Sequence, residues 1–221
     1  ITPPLLELSE SIGGEAHDEI KSHAFSFRDN LTGKDLSIRP DISEQASRID
    51  AYRIQSNEVV KLCYAGEVVK SKASKSLRSR TTIQVGAEIF GDSSKQAELE
   101  SVNLMLKSLE IAGIKNITLS LGHAAFTSSV LEPFRKLGKE IFVDLEIALS
   151  KKSKSDLDKI IPDSYENKQS LMSLCDLYGE IDIIQSAKES FSYLETTQSF
   201  MNDLEGLADK LTNKSGITLH G

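Results

Sequence analysis

Polar and apolar residues alternate through most of residues 82–91, TIQVGAEIFG. This period of two predicts a β-strand, because successive side chains of a strand point to opposite faces. One face, predicted to pack on the core, carries Ile83, Val85, Ala87 and Ile89. The other face carries Gln84, Gly86 and Glu88. Its amide and carboxylate lie roughly 13 Å apart along the strand, and Gly86 leaves room for a ligand between them. A half-buried strand with a solvated outer face gives the same alternation.

Short alternating segments predict two antiparallel hairpins in the first half of the chain. The first joins residues 24–30 to residues 35–40 through a Leu-Thr-Gly turn at 31–33, and glycine is typical of such turns. The second joins residues 58–70 to residues 80–91 across a longer loop. These hairpins supply strands that pair antiparallel.

Helical periodicity accounts for most of the remaining residues. Between the hairpins, residues 43–53 form a predicted helix, with Asp41 and Glu44 in the positions of a capping box. A second helix is predicted over residues 94–112, and residues 124–214 have helical spacing almost throughout.

This order of elements predicts an α+β fold, because the strands are mostly antiparallel and the helices group together. We assign residues 1–123 to the α+β core and residues 124–214 to a helical insertion. Residues 215–221 are assigned to the start of a strand that returns to the core. The abrupt opening ITPPLLE leaves open whether an upstream segment is missing.

Composition indicates an ordinary globular protein of the cytoplasm. The sequence is 39% hydrophobic and 27% charged, with a formal net charge of −7. An acidic chain is a poor general partner for nucleic acid, and no apolar stretch is long enough to cross a membrane. The two cysteines, Cys63 and Cys175, are too few for a disulfide framework or a metal site. Cys63 lies in a strand pattern and is predicted to be a small core residue.

Motifs of several enzyme classes do not occur in this sequence. It has no glycine-rich phosphate loop, no His-Glu-x-x-His and no Gly-x-Ser-x-Gly. His123 follows Gly122 at a predicted strand end, and we interpret it as a residue that bonds to nearby backbone. We therefore predict no cofactor, no metal and no catalytic residue.

The loop at residues 70–80, KSKASKSLRSR, holds five cations and no acid. It has too few apolar residues to pack. It is either a solvated hairpin loop or a loop that closes over an anionic ligand or a partner.

Polar residues from both hairpins are predicted to converge on one site. The first hairpin and the helix after it supply Arg39, Asp41 and Ser43. The second hairpin supplies Arg80, Gln84 and Glu88. Carboxylates suit an ammonium group, and arginine suits a carboxylate or phosphate, so this set fits a zwitterion or a nucleotide. Asp41 and Ser43 could alternatively serve only as helix caps.

Three sequence blocks carry a resemblance to a known family. IRPDISEQASRIDAYR, LCYAGEVV and TIQVGAEIFG resemble the catalytic-domain blocks of class II histidyl-tRNA synthetases. They are still more similar to the non-catalytic relatives of those enzymes, the regulatory subunits of short-form ATP phosphoribosyltransferase. The opening ITPPLLE resembles the end of the first class II motif, which lies at the dimer interface. The resemblance covers residues 1–123 and implies the antiparallel sheet of class II synthetases, with flanking helices and a helical insertion.

The resemblance also implies roles for individual residues. Asp41 and Ser43 would be amino-acid contacts, and Gln84 and Glu88 the amide and acid that hold the substrate. Two loop arginines, Arg78 and Arg80, would meet an anionic group. The synthetase pattern has glutamate at the position of Asp41 and an essential phosphate-binding arginine at that of Lys70. Lysine has no bidentate fork, which disfavours adenylate formation.

The regulatory relatives therefore give the preferred interpretation of function. They imply a non-catalytic subunit that is needed for the activity of a short catalytic subunit and for histidine feedback in the first step of histidine biosynthesis. They further imply a homodimer within a hetero-octamer, with histidine as effector and neither membrane nor nucleic acid as partner. Two alternatives stay open: a fragment of a histidyl-tRNA synthetase, and an amino-acid-binding module with another partner.

Overall fold

The computed structural model describes residues 1–13, 18–72, 79–212 and 217–220. The chain divides into two compact units, Ile1–Met105 and Leu106–Gly221. The domain boundaries that we placed after residues 123 and 214 rest on sequence texture and resemblance, and they stay a prediction.

The first unit begins with a three-stranded antiparallel sheet. Its strands are β1 (Leu6–Leu8), β2 (Phe25–Arg28) and β3 (Asp35–Ile38), in the order β1-β3-β2. A 3₁₀ turn (Ser9–Ser11) and helix α1 (Asp18–Ser22) lie between β1 and β2. The predicted first hairpin is confirmed as the β2–β3 pair, and Gly33 in its turn has a φ of 69°, which glycine adopts without strain.

The second predicted hairpin is confirmed as a ten-residue antiparallel pair. Strand β4 (Val60–Val69) pairs with β5 (Thr81–Phe90), so that Tyr64 lies opposite Gly86. The helix predicted before it forms as α2 (Ser43–Ile49), followed by a π-helical turn (Asp50–Ile54).

The prediction for the two faces of β5 is wrong. Ile83 and Val85, which we assigned to the core face, are 73% and 75% exposed, and Cys63 on the same side is exposed as well. The small core of the first unit lies on the opposite face, where Ala46 of α2 and Ile42, the residue before this helix, are buried. There they pack with two residues of β4, Tyr64 and Val68.

Glycine explains why the helix covers the polar face. Gly66 and Gly86 lie on that face, and a Cβ at either position would overlap a side chain that packs there, Arg39 at Gly66 and Tyr64 at Gly86. Close approach of other groups to the strands is a common use of glycine within sheets. The missing side chains therefore make room for the elements that cover the hairpin.

Arg39 connects three segments of the first unit. The residue is 4% exposed. Its guanidinium donates to the carbonyls of Pro3 at 2.7 Å, Glu67 at 2.8 Å and Pro4 at 3.3 Å, and to Oε1 of Gln45 at 3.3 Å. Each of these four acceptors is neutral, and the negative charges of Glu7 and Glu67 also stabilise the buried guanidinium.

Helix α3 (Lys95–Ile111) begins in the first unit and ends in the second. The second unit continues with β6 (Ile117–Ser120), and β7 (Ile217–His220) pairs with it in parallel. Between them lie six α-helices of the described chain: α4 (Ala124–Arg135), α5 (Lys139–Ser150), α6 (Lys154–Ile160), α7 (Lys168–Ser173), α8 (Ile183–Ser190) and α9 (Thr197–Thr212). A 3₁₀ turn, Leu174–Asp176, follows α7.

The helices of the second unit enclose its hydrophobic core. Phe134, Leu145, Leu157, Leu171 and Phe191 are each at most 1% exposed, and they belong to one cluster of buried residues. Among the helices of the described residues, none combines the length and apolarity needed to cross a lipid bilayer.

Replacing Gly66 by alanine is expected to destabilise the protein by about 1–3 kcal/mol, the range for overpacking a filled site. The new Cβ would overlap Nη2 of Arg39 and contact Ile42, and the guanidinium cannot withdraw without losing hydrogen bonds. The matched control is Gly206→Ala in α9, where an added Cβ meets nothing within 4 Å. That control should stabilise the protein by about 0.5–1 kcal/mol. Denaturant unfolding measures both changes, and a Gly66→Ala protein as stable as the parent would contradict the expectation.

Candidate functional site

Four of the predicted site residues meet where the N-terminus of α2 lies against β5. Oε1 of Gln84 accepts the backbone N–H of Ile42 at 2.9 Å. Nε2 of the same amide donates to Oδ1 of Asp41 at 3.1 Å. That carboxylate oxygen also accepts the backbone N–H of Ser43 at 2.7 Å. The amide of Gln84 thus joins the strand to the start of the helix.

Tyr64 extends this network to Glu88. Its hydroxyl donates to Oε1 of Glu88 at 3.2 Å and lies 2.9 Å from Oγ of Ser43. Because the phenolic proton is used toward Glu88, Ser43 is the donor in the second hydrogen bond. Hydrogen bonds therefore link Gln84 to Asp41, Asp41 to the backbone of Ser43, and the side chain of Ser43 through Tyr64 to Glu88.

The sequence reasoning missed Tyr64 and gave Gly86 the wrong role. We expected the space above Gly86 to admit a ligand, but a Cβ there would overlap the Tyr64 ring. The space is filled by the tyrosine of the neighbouring strand. A signal was present in the sequence, since pairing the second hairpin about its loop places Tyr64 opposite Gly86. Glycine beneath an aromatic ring is a recurrent cross-strand arrangement.

The predicted capping box at α2 does not form. Ile42 occupies the cap position, where no side chain accepts a hydrogen bond from the first turn. Asp41 lies one residue earlier and accepts the N–H of Ser43. Glu44 points elsewhere: its Oε2 accepts the N–H of Gly13 at 3.1 Å and lies 3.9 Å from Nη1 of Arg48. Asp41 therefore does contribute to the helix start, as the alternative interpretation held, and it also bonds to Gln84.

The structure describes three of the four predicted cations, and their contacts are with groups outside this network. The backbone N–H of Lys70 donates to the carbonyl of Arg80 at 2.9 Å, which closes the hairpin at the base of its loop. The guanidinium of Arg80 lies 5.7 Å from the centre of the Phe25 ring. Arg78 lies outside the described residues. Arg39, which we grouped with the site, is buried and bonded to backbone carbonyls and to Gln45.

The two partly exposed carboxylates of this site favour binding of a cationic group. Oδ2 of Asp41 and Oε2 of Glu88 have no hydrogen-bond partner within the described part of the chain, and both residues are partly exposed. Two carboxylates with spare acceptor oxygens suit an ammonium group. For a metal ion the structure offers less: among the described residues, no group of three or more His, Cys, Asp or Glu side chains could hold one.

Burial raises the pKa of the Tyr64 hydroxyl above its ordinary value of 10.0, and the nearby charges of Glu88 and Asp41 raise it further. The hydrogen bond with Ser43 acts in the opposite direction. The tyrosine is therefore neutral at physiological pH and serves as a hydrogen-bond donor to Glu88.

We expect Tyr64 to titrate at a higher pH than free tyrosine. Because the folded pKa exceeds the unfolded one, its contribution to stability is complete below about pH 10 and is lost as the pH rises through the folded pKa. The ¹³Cζ resonance of labelled tyrosine, assigned with Tyr64→Phe, reports this pKa. Glu88→Gln should lower the value, because it removes a negative charge beside the hydroxyl. A Tyr64 resonance that titrates at or below the free value would contradict this view of the site.

Curated relatives of this chain share one description. The chain is 33% identical to the ATP phosphoribosyltransferase regulatory subunit of Burkholderia cenocepacia over 95% of its own length and 55% of the relative's. It is 34% identical to that of Laribacter hongkongensis, over 99% of this chain and 57% of the relative. The chain thus spans about half the length of the curated relatives it matches.

Solved structures with the same fold come from both branches of the resemblance. A Bacillus halodurans protein described as an ATP phosphoribosyltransferase regulatory subunit/histidyl-tRNA synthetase superposes with a TM-score of 0.79 at 21% identity, over 99% of this chain and 58% of that one. The ATP phosphoribosyl transferase (HisG:HisZ) complex of Thermotoga maritima gives a TM-score of 0.67 at 17% identity, over 99% and 72%. At these identities the likeness shows the fold, and it confirms the predicted α+β class.

The family assignment rests on the length of the sequence match. The family model described as histidyl-tRNA synthetase matches residues 1–220. The match therefore includes the helical residues after 123, which our three sequence blocks did not reach. The chain belongs to the histidyl-tRNA synthetase family.

Proposed function

We propose that this chain acts as a non-catalytic regulatory subunit of ATP phosphoribosyltransferase and that its amino-acid site senses histidine. The observation that carries the proposal is the network at α2 and β5. It brings together Asp41, Ser43, Gln84 and Glu88, which are the four residues that the resemblance makes amino-acid contacts. The names of the curated relatives agree with this function.

The geometry supports binding of the amino acid through its ammonium group. Glu88 and Asp41 each keep one carboxylate oxygen that is not bonded within the described residues. Charge-assisted hydrogen bonds to such oxygens are among the strongest that a partly exposed site can make. The resemblance makes Arg80 the partner of the amino acid's carboxylate, but its guanidinium lies over the Phe25 ring in this structure, so it would have to move toward Asp41 and Glu88 when the ligand binds. Lys70 and Arg78 belong to the same loop as Arg80.

The lysine at position 70 favours a regulatory role that senses histidine over synthetase activity. The resemblance makes this the position of a phosphate-binding arginine in the synthetases. Lysine is a compact point charge and cannot grip a phosphate through two parallel hydrogen bonds. In the structure Lys70 is exposed and follows Val69, the last residue of β4. Amino-acid recognition is thus retained while the group that would position ATP is replaced.

A regulatory role requires a catalytic partner. The Thermotoga maritima structure is described as a complex of two components, HisG and HisZ. We propose an equivalent short catalytic subunit as the partner of this chain, in a cytoplasmic hetero-octamer that contains dimers of the regulatory subunit. Histidine inhibits such an assembly only if it binds unequally to an active and an inactive state.

The second candidate is a fragment of a histidyl-tRNA synthetase. The family model and the Nostoc synthetase structure, with a TM-score of 0.68 at 13% identity, keep it in consideration. It requires histidine-dependent exchange of pyrophosphate into ATP. The third candidate, an amino-acid-binding module with another partner, uses the same site, and it requires that the chain does not co-purify with a phosphoribosyltransferase.

Substituting Glu88 by glutamine should weaken histidine binding about 10- to 100-fold, the range for losing one charge-assisted hydrogen bond. The amide oxygen of glutamine can still accept the hydrogen bond from Tyr64, so the fold should be preserved. Glu98→Gln, at an exposed position in the first turn of α3, is the matched control for loss of one negative charge. Calorimetric titration with histidine measures the affinity. An unchanged affinity in Glu88→Gln would remove this residue from the proposed site.

Adding the protein to a short catalytic subunit should raise the rate of phosphoribosyl-ATP formation and make it sensitive to histidine. The rate is followed with and without histidine, and pyrophosphate exchange is measured in parallel with this chain alone. We expect activation without exchange, because the position of the phosphate-binding arginine is Lys70. Exchange that depends on histidine would support the synthetase candidate instead. If the rate does not rise and its sensitivity to histidine does not change, the regulatory function is contradicted.

A further inference from the structure

The second unit contains a cavity of about 230 Å³ that is separate from the candidate amino-acid site. Side chains of α8, α9, the end of α5 and the turn after α7 form its walls. They are mostly apolar and include Leu149, Leu174, Ile183, Ala187, Met201 and Leu204. Two side chains that can carry charge, His123 and Lys152, also line it.

The size and lining of the cavity fit a small ring. An apolar cavity of about 150 Å³ can bind benzene, so this one has room for an aromatic ring with a short chain. Most of its lining atoms offer no hydrogen bond, so water inside would be poorly satisfied. Ligand sites in proteins combine such walls with a few placed polar groups.

Lys152 supplies the polar group of this cavity. Its backbone is in the left-handed conformation, which is unfavourable for a lysine. It follows the last turn of α5 with a φ of 52°. Its N–H donates to the carbonyl of Leu149 at 2.9 Å, and that of Ser153 donates to the carbonyl of Ala148 at 2.9 Å. This pattern is a Schellman motif, whose left-handed position is usually glycine. A lysine held there at a conformational cost, beside a cavity, points to use of its charge.

The ammonium group of Lys152 has a weak contact that a ligand could replace. It lies 3.4 Å from the centre of the Tyr178 ring, and Tyr178 is 59% exposed. A cation over an exposed aromatic ring is attracted only modestly. A carboxylate at the mouth of the cavity would offer the ammonium a stronger partner.

His123 contributes a donor rather than a second cation. Its Nδ1 accepts the N–H of Phe126 at 3.2 Å, which caps α4 and confirms the predicted backbone hydrogen bond. Because Nδ1 is an acceptor, the proton of the neutral ring is on Nε2. The ring packs against Phe200 with centroids 4.6 Å apart. Of these two lining residues, Lys152 is therefore the one that offers a positive charge to a ligand.

We propose that this cavity binds a small aromatic monocarboxylate, with its ring between α8 and α9 and its carboxylate on Lys152. The site lies wholly in the second unit, and the proposal does not depend on the proposed regulatory function. No covalent step is involved.

The test uses two probes of equal shape, 3-phenylpropionate and the neutral 3-phenylpropionamide. Binding to the whole 221-residue chain is followed by saturation-transfer NMR and by chemical-shift titration. The carboxylate should bind about three- to fivefold more tightly than the amide, the effect of one partly exposed ion pair. Absence of saturable binding of both probes, or equal affinity for the two, would overturn the proposal.

The variant Lys152→Gly tests whether the charge of Lys152 determines the preference for the carboxylate, independently of any loss of protein stability. Glycine adopts the left-handed conformation without strain, so this variant should melt at a higher temperature while losing its preference for the carboxylate. Lys151→Gly is the matched control, because Lys151 is exposed and has an ordinary φ of −86°. It should keep the preference. A Lys152→Gly protein that still prefers the carboxylate would overturn the assignment of the charge.

Filling the cavity locates the binding site. Ala187→Leu projects a larger side chain into the space and should abolish binding of both probes. Leu204→Phe provides a second filling variant in case Ala187→Leu does not fold, as judged by circular dichroism. Binding that survives in a folded filling variant would overturn the location.

Discussion

The first unit depends on a buried arginine. A guanidinium keeps its charge at any pH that proteins tolerate, even though burial lowers the pKa of Arg39. Such a charge must be surrounded by acceptors or the fold is strongly destabilised. The acceptors of Arg39 come from the N-terminal segment at Pro3 and Pro4, from β4 at Glu67 and from α2 at Gln45. These segments are far apart in the sequence, and each is held in place by a hydrogen bond from the guanidinium of Arg39.

The position of α2 follows from that constraint, and the candidate site follows from α2. With Gln45 held by Arg39, the N-terminus of the helix lies over β5, and Gln84 bonds to both Asp41 and Ile42. Polar groups on a covered sheet face are tolerated because each of them is hydrogen-bonded. The face that carries Gln84 and Glu88 is therefore the covered one, and the apolar face with Ile83 and Val85 is exposed.

Local patterns were sufficient to predict the two hairpins and the helical regions, and long-range contacts were needed for the rest. Alternation and the turn at Gly33 predicted both hairpins, and family resemblance selected the side chains that meet at the site. A period of two cannot tell which face of a strand is covered, because that depends on where α2 docks. The docking of α2 depends on contacts between Arg39 and Gly66. These two residues are too far apart in the sequence for a local pattern to include both. Tyr64 was missed for the same reason, since its role appears only through its pairing with Gly86.

The hydrogen-bond network has a structural role as well as a candidate role in binding. Asp41, Ser43 and Gln84 connect α2 to β5, so these side chains would be useful in a chain that bound nothing. Glu88 differs, because its hydrogen bond is with Tyr64 at the end of the path and no backbone group of the helix depends on it. A ligand ammonium bound at Oε2 of Glu88 would draw negative charge away from Oε1 and weaken the hydrogen bond from the Tyr64 hydroxyl. Since that hydroxyl also contacts Ser43, occupancy at Glu88 would change the hydrogen bonding at the start of α2. Under the proposed function, histidine binding would be coupled to the position of this helix through Tyr64, and this is the physical route by which the proposed site would influence a partner subunit.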